Sequence, residues 1–377
     1  MLTIKKVKEN FDIKKIDTPI MIIDSSVIEN RYNNLKGLIN DVEIFYSVKT
    51  NSNIKILEQL RDLGSGFEVA SLYEFNLLKI LNVPPEKIIT GNPLKVPQFI
   101  EEAHEYGVDY FAFDSMTEID KIAKDAPGAS VSLRIAVDNT GSEWPLSKKF
   151  GASTSRALEL FKYAKSKGLN PNALTFHVGS QCLNSNNWSN ALITIGEIFN
   201  LAKKNDFNIN IINLGGGFPS KLDKNIPKLE TIKENINKTI KEVFNGGNLK
   251  FYIEPGRGIV GESAIFVSKV IAKANRGSEN WVSLDMGVYN GLLDAVAGIN
   301  FEITSEIEQN KNYSEDEMIS YHVAGPTCDS WDTISDNYML PKDLAVGDIV
   351  YILNVGAYTT SISTNFNGFG PPEIYFI

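Results

Sequence analysis

The stretch Ile44-Phe45-Tyr46-Ser47-Val48, followed at once by Lys49, decides how this chain is read. A short run of β-branched and aromatic residues reads as a buried strand. A lysine that closes such a strand keeps its stem in the core and its amine at the strand's C-terminal end. In a barrel of parallel strands, active sites lie at that end. A desolvated amine has a lowered pKa and attacks carbonyls, which makes Lys49 a Schiff-base candidate. The bland alternative is a strand-end lysine that snorkels to water. Lys49 alone does not choose between them.

The run is the first of eight. Candidate strands fall at 44–48, 66–70, 87–90, 109–113, 131–135, 174–178, 211–214 and 250–254, with amphipathic segments between them. Ser71 with Glu74, and Ser115 with Glu118, have the spacing of capping boxes that open helices. One segment places Ile56, Leu60 and Leu63 on a single face and stops at Gly64. Another does the same with Ala157, Leu160, Phe161 and Ala164 and stops at Gly168. Strands alternating with helices predict an α/β fold, a parallel (β/α)8 TIM barrel over 25–257. A doubly wound open sheet is the alternative. Beyond 257, AIFVSKVIAKA, NWVSLDMG, MISYHVAG and DIVYILNVG read as strands between turns. They predict a mostly antiparallel β domain over 258–377, joined by the N-terminal segment 1–24.

Composition narrows the function. The 377 residues are 43% hydrophobic and 22% charged, ordinary for a soluble enzyme. The net charge of -9 comes without a basic stripe interleaved with aromatics, so a nucleic-acid partner is not expected. It is mildly compatible with a cationic substrate. The N-terminus lacks an apolar signal core and no apolar run reaches membrane-spanning length, so a cytoplasmic protein with no membrane partner is expected. Cys182 and Cys328 are then expected to be free thiols. No metal-ligand set is read.

Several motifs carry chemistry. His177 ends a predicted strand, where an imidazole is either a satisfied core residue or a group that stacks on a flat cofactor. Ser180 just beyond can donate to a phosphate. Gly215, Gly216 and Gly217 follow another strand and allow backbone N–H groups to close on an anion, or form a plain turn. Their spacing is not that of a dinucleotide fingerprint. Glu254 and Arg257 follow the eighth strand. They are either an ion pair or a divided site, with Arg257 on a phosphate and Glu254 on a ring nitrogen. A carboxylate there keeps a pyridine protonated as an electron sink. Cys328 and Asp329 are a candidate proton donor and charge reader in a turn-rich segment, although a lone cysteine is commonly inert packing. Tyr358 is weak taken alone.

Together these pieces resemble the fold-type III pyridoxal-phosphate decarboxylases, the ornithine, lysine, arginine and diaminopimelate decarboxylase group. FYSVKTN, GSGFEVAS, SLRIAVDN with LSKKFGA, FHVGS, NLGGGFP, EPGRGIV, GPTCDSWD, VGAYT and FNGFGPPEIYF occur in family order over nearly the whole chain. The wording is closest to the ornithine/lysine branch, since aspartate follows the cysteine where diaminopimelate enzymes generally have glutamate. The resemblance implies an alanine-racemase-like barrel and pyridoxal 5'-phosphate as cofactor. It implies Lys49 as the Schiff-base lysine and His177 stacked on the ring. It puts Ser180, Gly215 to Gly217, Arg257 and Tyr358 on the phosphate, and Glu254 on the pyridinium. Arg134 would line the site and Glu68 would stand where the family often has aspartate. Cys328 would protonate the substrate's α-carbon, and Asp329 would read a distal ammonium. A homodimer with shared active sites follows, acting on a small amino acid, most directly L-ornithine to putrescine with L-lysine as a second substrate.

One departure bears on substrate length. A second acidic residue normally follows the tyrosine matched by Tyr289, but here the stretch reads Tyr289-Asn290-Gly291-Leu292-Leu293-Asp294, with Asp294 at the wrong offset. Arginine, diaminopimelate and carboxynorspermidine-type decarboxylases stay as alternatives, as does a non-catalytic homologue. A racemase is disfavoured, because racemases of this fold generally place arginine where Glu254 stands. The polar stretch from Gly141 to Lys149 is expected to be a flexible loop that closes over the site.

Overall fold

The computed structural model describes residues 1–377 apart from 223 and 245–248. The chain forms two compact units: Arg31–Pro219 with Ile226–Gly258, and Met1–Asn30 with Ser220–Asn225 and Ile259–Ile377.

The first unit is the barrel. Its strands are β1 Glu43–Ser47, β2 Gly66–Glu68, β3 Ile88–Ile89, β4 Phe111–Phe113, β5 Ser130–Arg134, β6 Asn170–Thr175, β7 Ile211–Asn213 and β8 Lys250–Ile253. All are parallel, in the order β3-β2-β1-β8-β7-β6-β5-β4. A bridge from Thr90 to Phe111 brings the two ends together, with Thr90 N–H on Tyr110 O at 3.0 Å and Ala112 N–H on Thr90 O at 2.9 Å. One layer of the core is built from Phe45, Ile89, Tyr110, Ala173 and Tyr252. These side chains come from β1, β3, the start of β4, β6 and β8, as closure of a barrel on side chains requires.

A helix follows each of the first seven strands: Ile54–Asp62, Leu72–Ile80, Pro97–Tyr106, Met116–Asp125, Ala157–Ser166, Asn187–Lys203 and Leu229–Val243. Each turns an apolar face inward. Ile56, Leu57 and Leu60 of the first are fully buried, worth about 1.5–3 kcal/mol apiece relative to exposure. The two expected capping boxes form by half. Ser71 and Ser115 accept from the N–H groups of Glu74 and Glu118 at 3.3 and 3.4 Å. The Glu74 carboxylate turns back to Ala70 N–H at 2.7 Å. That of Glu118 instead binds the ammonium groups of Lys95 and Lys121.

The second unit is a sheet in the order 303–305, 349–353, 264–276, 279–284, 318–324, 333–341. Along this order the pairings are antiparallel except for Trp281–Ser283 against His322–Ala324. Ile20–Ile23 pairs antiparallel with Ala264–Val267 and parallel with Glu373–Phe376. Val7, Ile20, Ile22, Ile265, Val267 and Tyr351 pack into its core. Among the described residues no helix is long and apolar enough to cross a membrane.

Candidate active site

β1 stops at Ser47, and Lys49 sits in a single 3-10 turn, Val48–Thr50. That turn lifts the lysine out of the strand, so its side chain is 46% exposed, not held with its stem in the core. The expectation of a desolvated amine is therefore corrected. The amine is presented to solvent and oriented by a carboxylate. Lys49 Nζ lies 3.0 Å from Glu68 Oε2, which also accepts from Ser47 Oγ at 3.0 Å. Register sets this meeting, because Ser47 and Glu68 are direct neighbours across β1 and β2. Glu68 is buried, and its other oxygen, Oε1, has no hydrogen-bond partner among the described residues.

Glu254 follows β8 and is also buried. Burial pushes its carboxyl well above the usual range, and repulsion from Glu68 adds to this. Lys49, a hydrogen bond from Asn213 and Arg134 pull the other way. Glu74 is pushed up to about 7 by burial and by the same Glu68. Arg134 ends β5, with its guanidinium carbon 5.3 Å from the centre of the Phe150 ring. Its charge faces Glu254, Glu68 and Asp114.

β6 ends at Thr175, so His177 lies on the following loop and not at the end of a strand running to 178. Its Nδ1 accepts from Gly179 N–H at 3.0 Å. Burial, Arg134 and Lys49 hold its pKa well below the usual imidazole value. With Nδ1 accepting, the ring is neutral and carries its hydrogen on Nε2. Ser180 opens the short strand Ser180–Cys182, which pairs with Ser142–Trp144. The stretch 141–149 is thus partly a β-ribbon and not a free loop. Asn139 ties it down: its amide donates to His177 O at 2.9 Å and accepts from Leu146 and Ser147 N–H at 2.8 and 3.1 Å.

The three glycines follow β7. Gly215 and Gly217 have φ of 64° and 96°, which favours residues without a Cβ. A Cβ at Gly215, Gly216 or Gly217 would fall 2.2, 2.6 or 2.5 Å from the carbonyl oxygens of Phe176, Glu254 or Gly179. The backbones after β6, β7 and β8 therefore close on one another without side chains between them. Arg257 is buried and opens the short helix Arg257–Val260.

The other candidates lie in the β unit. Cys328 is exposed, and its N–H and Sγ lie 3.2 and 3.3 Å from Asn367 Oδ1. Tyr289 stacks on Phe366 at 4.7 Å, and burial together with the nearby Asp329 carboxylate raises its pKa. Asp294 is buried within the 3-10 turn Leu293–Ala297. Tyr358 takes a left-handed backbone, φ 52°.

Two residues escaped the sequence reading. Asn213, at the end of β7, bonds Glu254 Oε1 at 2.7 Å. Asn213 falls inside the expected strand 211–214, and nothing in the pattern marks its side chain as inward. Asp332 is buried, accepts from Val288 N–H at 2.7 Å and Thr327 N–H at 2.9 Å, and so joins the turn before Tyr289 to the loop before Cys328. Its place inside GPTCDSWD was the available signal.

An accessible amine held by a carboxylate, a backbone cradle free of Cβ atoms and a buried carboxylate on the other side suit a ligand with an aldehyde, an anionic group and a basic ring. The orphaned Glu68 Oε1 leaves an acceptor for it. Those are the parts of pyridoxal phosphate, and the arrangement defines a cofactor-dependent barrel enzyme. Residues 25–261 match the family described as pyridoxal-dependent decarboxylase, pyridoxal binding domain. The lysine/ornithine decarboxylase of Selenomonas ruminantium is 34% identical over 94% of this chain and 88% of its own length. A crystal structure of SrLDC in complex with PLP and cadaverine superposes with a TM-score of 0.89 at 33% identity, covering 100% of this chain and 94% of that one. The Paramecium bursaria Chlorella virus arginine decarboxylase gives 0.91 at 28% identity, covering 99% and 100%. The chain belongs to the pyridoxal-dependent decarboxylases.

Proposed function

We propose that this protein decarboxylates a basic L-amino acid, L-ornithine to putrescine first and L-lysine to cadaverine second. It would serve polyamine biosynthesis as a cytoplasmic homodimer. One observation carries the reading: Cys328 stands directly before Asp329, whose carboxylate acts on the nearby Tyr289. A thiol able to deliver a proton and a carboxylate able to grip an ammonium thus share one loop. The name of the Selenomonas ruminantium relative, lysine/ornithine decarboxylase, favours the same substrates.

When bound, pyridoxal phosphate supplies the sink for the electron pair left behind as the carboxylate departs as CO₂. Lys49 would hold the cofactor through its amine. Glu68 orients Lys49 through the 3.0 Å bond to its Nζ. Gly215 to Gly217, Ser180, Arg257 and Tyr358 would hold the phosphate. Neutral His177 would offer a flat, uncharged face to the ring, and Arg134 would line the pocket. Glu254 would keep a proton on the ring nitrogen. Asp329 and Tyr289 bind the distal ammonium, and Cys328 Sγ holds the proton for the α-carbon. In a homodimer that loop would serve the partner's barrel. Trp331, Phe366 and Phe369, beside the loop, are 67%, 39% and 40% exposed. Bulky apolar groups of this kind suit burial against a second copy.

The test is CO₂ release from ornithine, lysine, arginine, diaminopimelate and their D-isomers. Ornithine and lysine should lead; preference for arginine or diaminopimelate overturns the substrate reading, and no release from any of them overturns the activity. Cys328→Ala should bind cofactor normally yet form the diamine at least about 10²-fold more slowly. Unchanged diamine formation would remove Cys328 from its role.

A further inference from the structure

We infer that Asn213 is a positioning residue: one amide sets the charge carried by Glu254 and fixes the first glycine of the cradle. The inference rests on the reading of Glu254 as the partner of the cofactor's ring nitrogen.

The orientation of the amide follows from its neighbours. Gly215 N–H can only donate, so the atom 2.9 Å from it is Oδ1. Nδ2 then has two hydrogens to place. One goes to Glu254 Oε1 at 2.7 Å and the other to Tyr110 Oη at 3.2 Å. Tyr110 spends its own hydrogen on Ser132 Oγ at 2.8 Å, which leaves its oxygen free to accept. Asn213, Tyr110 and Ser132 are all buried, so water does not compete for these bonds. The amide is held at three points and cannot flip without setting donor against donor.

This geometry gives Asn213 a lever on Glu254. The groups facing that carboxylate are Lys49 after β1, Glu68 on β2, Tyr110 before β4, Arg134 on β5 and Asn213 on β7. His177 approaches from the loop after β6, near the Glu254 backbone. Burial and Glu68 favour the protonated form, while Lys49, Arg134 and the Asn213 N–H favour the carboxylate. Asn213 gives that carboxylate a 2.7 Å hydrogen bond, and the same side chain carries Gly215. Neither alanine nor aspartate can do both jobs: alanine does neither, and aspartate holds Gly215 but has no N–H to give.

Aspartate is therefore the discriminating substitution. In Asn213→Asp two buried carboxyls face one another and share one proton, whose O–H stands in for the lost N–H. As pH rises the pair loses that proton and the contact becomes repulsive. Pyridoxal phosphate is titrated by absorbance into cofactor-free wild type, N213D, N213A, Y110F and E254Q, from about pH 6 to about pH 9. N213D should bind nearly as wild type at the acid end and at least about tenfold more weakly at the alkaline end. N213A should be weaker by one factor throughout. Tyr110→Phe, which frees only one of the three anchors, should move the pH midpoint the same way by less. A flat offset for N213D, or an unmoved midpoint for Y110F if N213D does not fold, overturns the inference. E254Q separates the two readings. If E254Q binds cofactor and turns over as wild type, the Glu254 reading fails. If E254Q is impaired while N213D stays flat, only the role of Asn213 fails.

Discussion

Replacing Lys49 with alanine is expected to lower turnover by on the order of 10⁴–10⁶-fold, the scale of losing a covalent catalyst from a concerted set. Borohydride reduction of the loaded wild type should leave a pyridoxyl group on Lys49, and none on residue 49 of K49A. The competing site is Lys95, after β3, and the contrast between the two amines shows what selects a Schiff-base lysine. Burial draws the Lys95 amine down to about 8 against the pull of Glu118. A lowered pKa makes Lys95 a candidate nucleophile. Yet its side chain is 0% exposed, and its ammonium is committed to Asn92 O, Ala112 O and Glu118. Lys49, half exposed, can reach an aldehyde; Lys95 would first have to break three bonds. Pyridoxyl label on Lys95 of the wild type would overturn this ordering. A Lys95→Met variant should instead suffer in stability, because it leaves Glu118 buried beside Lys121 alone and strands two backbone carbonyls.

The barrel was readable because parallel strands buried on both faces are short apolar runs, and helices announce their ends with serine, glutamate and glycine. All eight strands fall on or against the expected segments. The least accurate was β6, expected at 174–178 and found at Asn170–Thr175. Asn170-Pro171-Asn172 does not look like a strand, so the apolar centre of gravity was placed too late and His177 was assigned to a strand end. The site was less legible, for a different reason. Side chains such as Lys49, His177, Glu254 and Arg257 could be singled out as candidates by type and place. Those that act through another residue could not. Asn213 and Asp332 are defined by which N–H and carboxyl groups fold against them, and those partners are distant in sequence. The exposure of Lys49 was also hidden, since a run of apolar letters does not reveal the 3-10 turn that follows it.

Glu254→Gln should divide function from stability. Glutamine keeps the shape of the side chain and can still meet Asn213, but it cannot keep a proton on a ring nitrogen. Turnover of the loaded enzyme should fall on the order of 10²–10³-fold, as when one preorganised electrostatic partner is removed. The cofactor-free protein should respond in the opposite sense. Burial first, then Glu68, raise the folded-state pKa of Glu254 above its unfolded value. Below the ordinary carboxylate range, about pH 4–5, both states hold the proton and the group adds no pH dependence. As pH rises toward neutrality the unfolded chain ionises while the folded one keeps its proton, so stability is lost across that window. Above it the folded protein carries a buried carboxylate at a cost of about 1–3 kcal/mol, because a tenfold change in proton affinity between the two states corresponds to roughly 1.4 kcal/mol. Glutamine does not bear that cost. Cofactor-free E254Q should therefore melt near the wild type at about pH 5 and above it at about pH 8, the gap widening between. A melting temperature below wild type at the alkaline end would mean that Lys49, Arg134 and Asn213 more than compensate the buried charge. Glu254 would then be a stabilising residue, not one kept at a cost for the chemistry it serves.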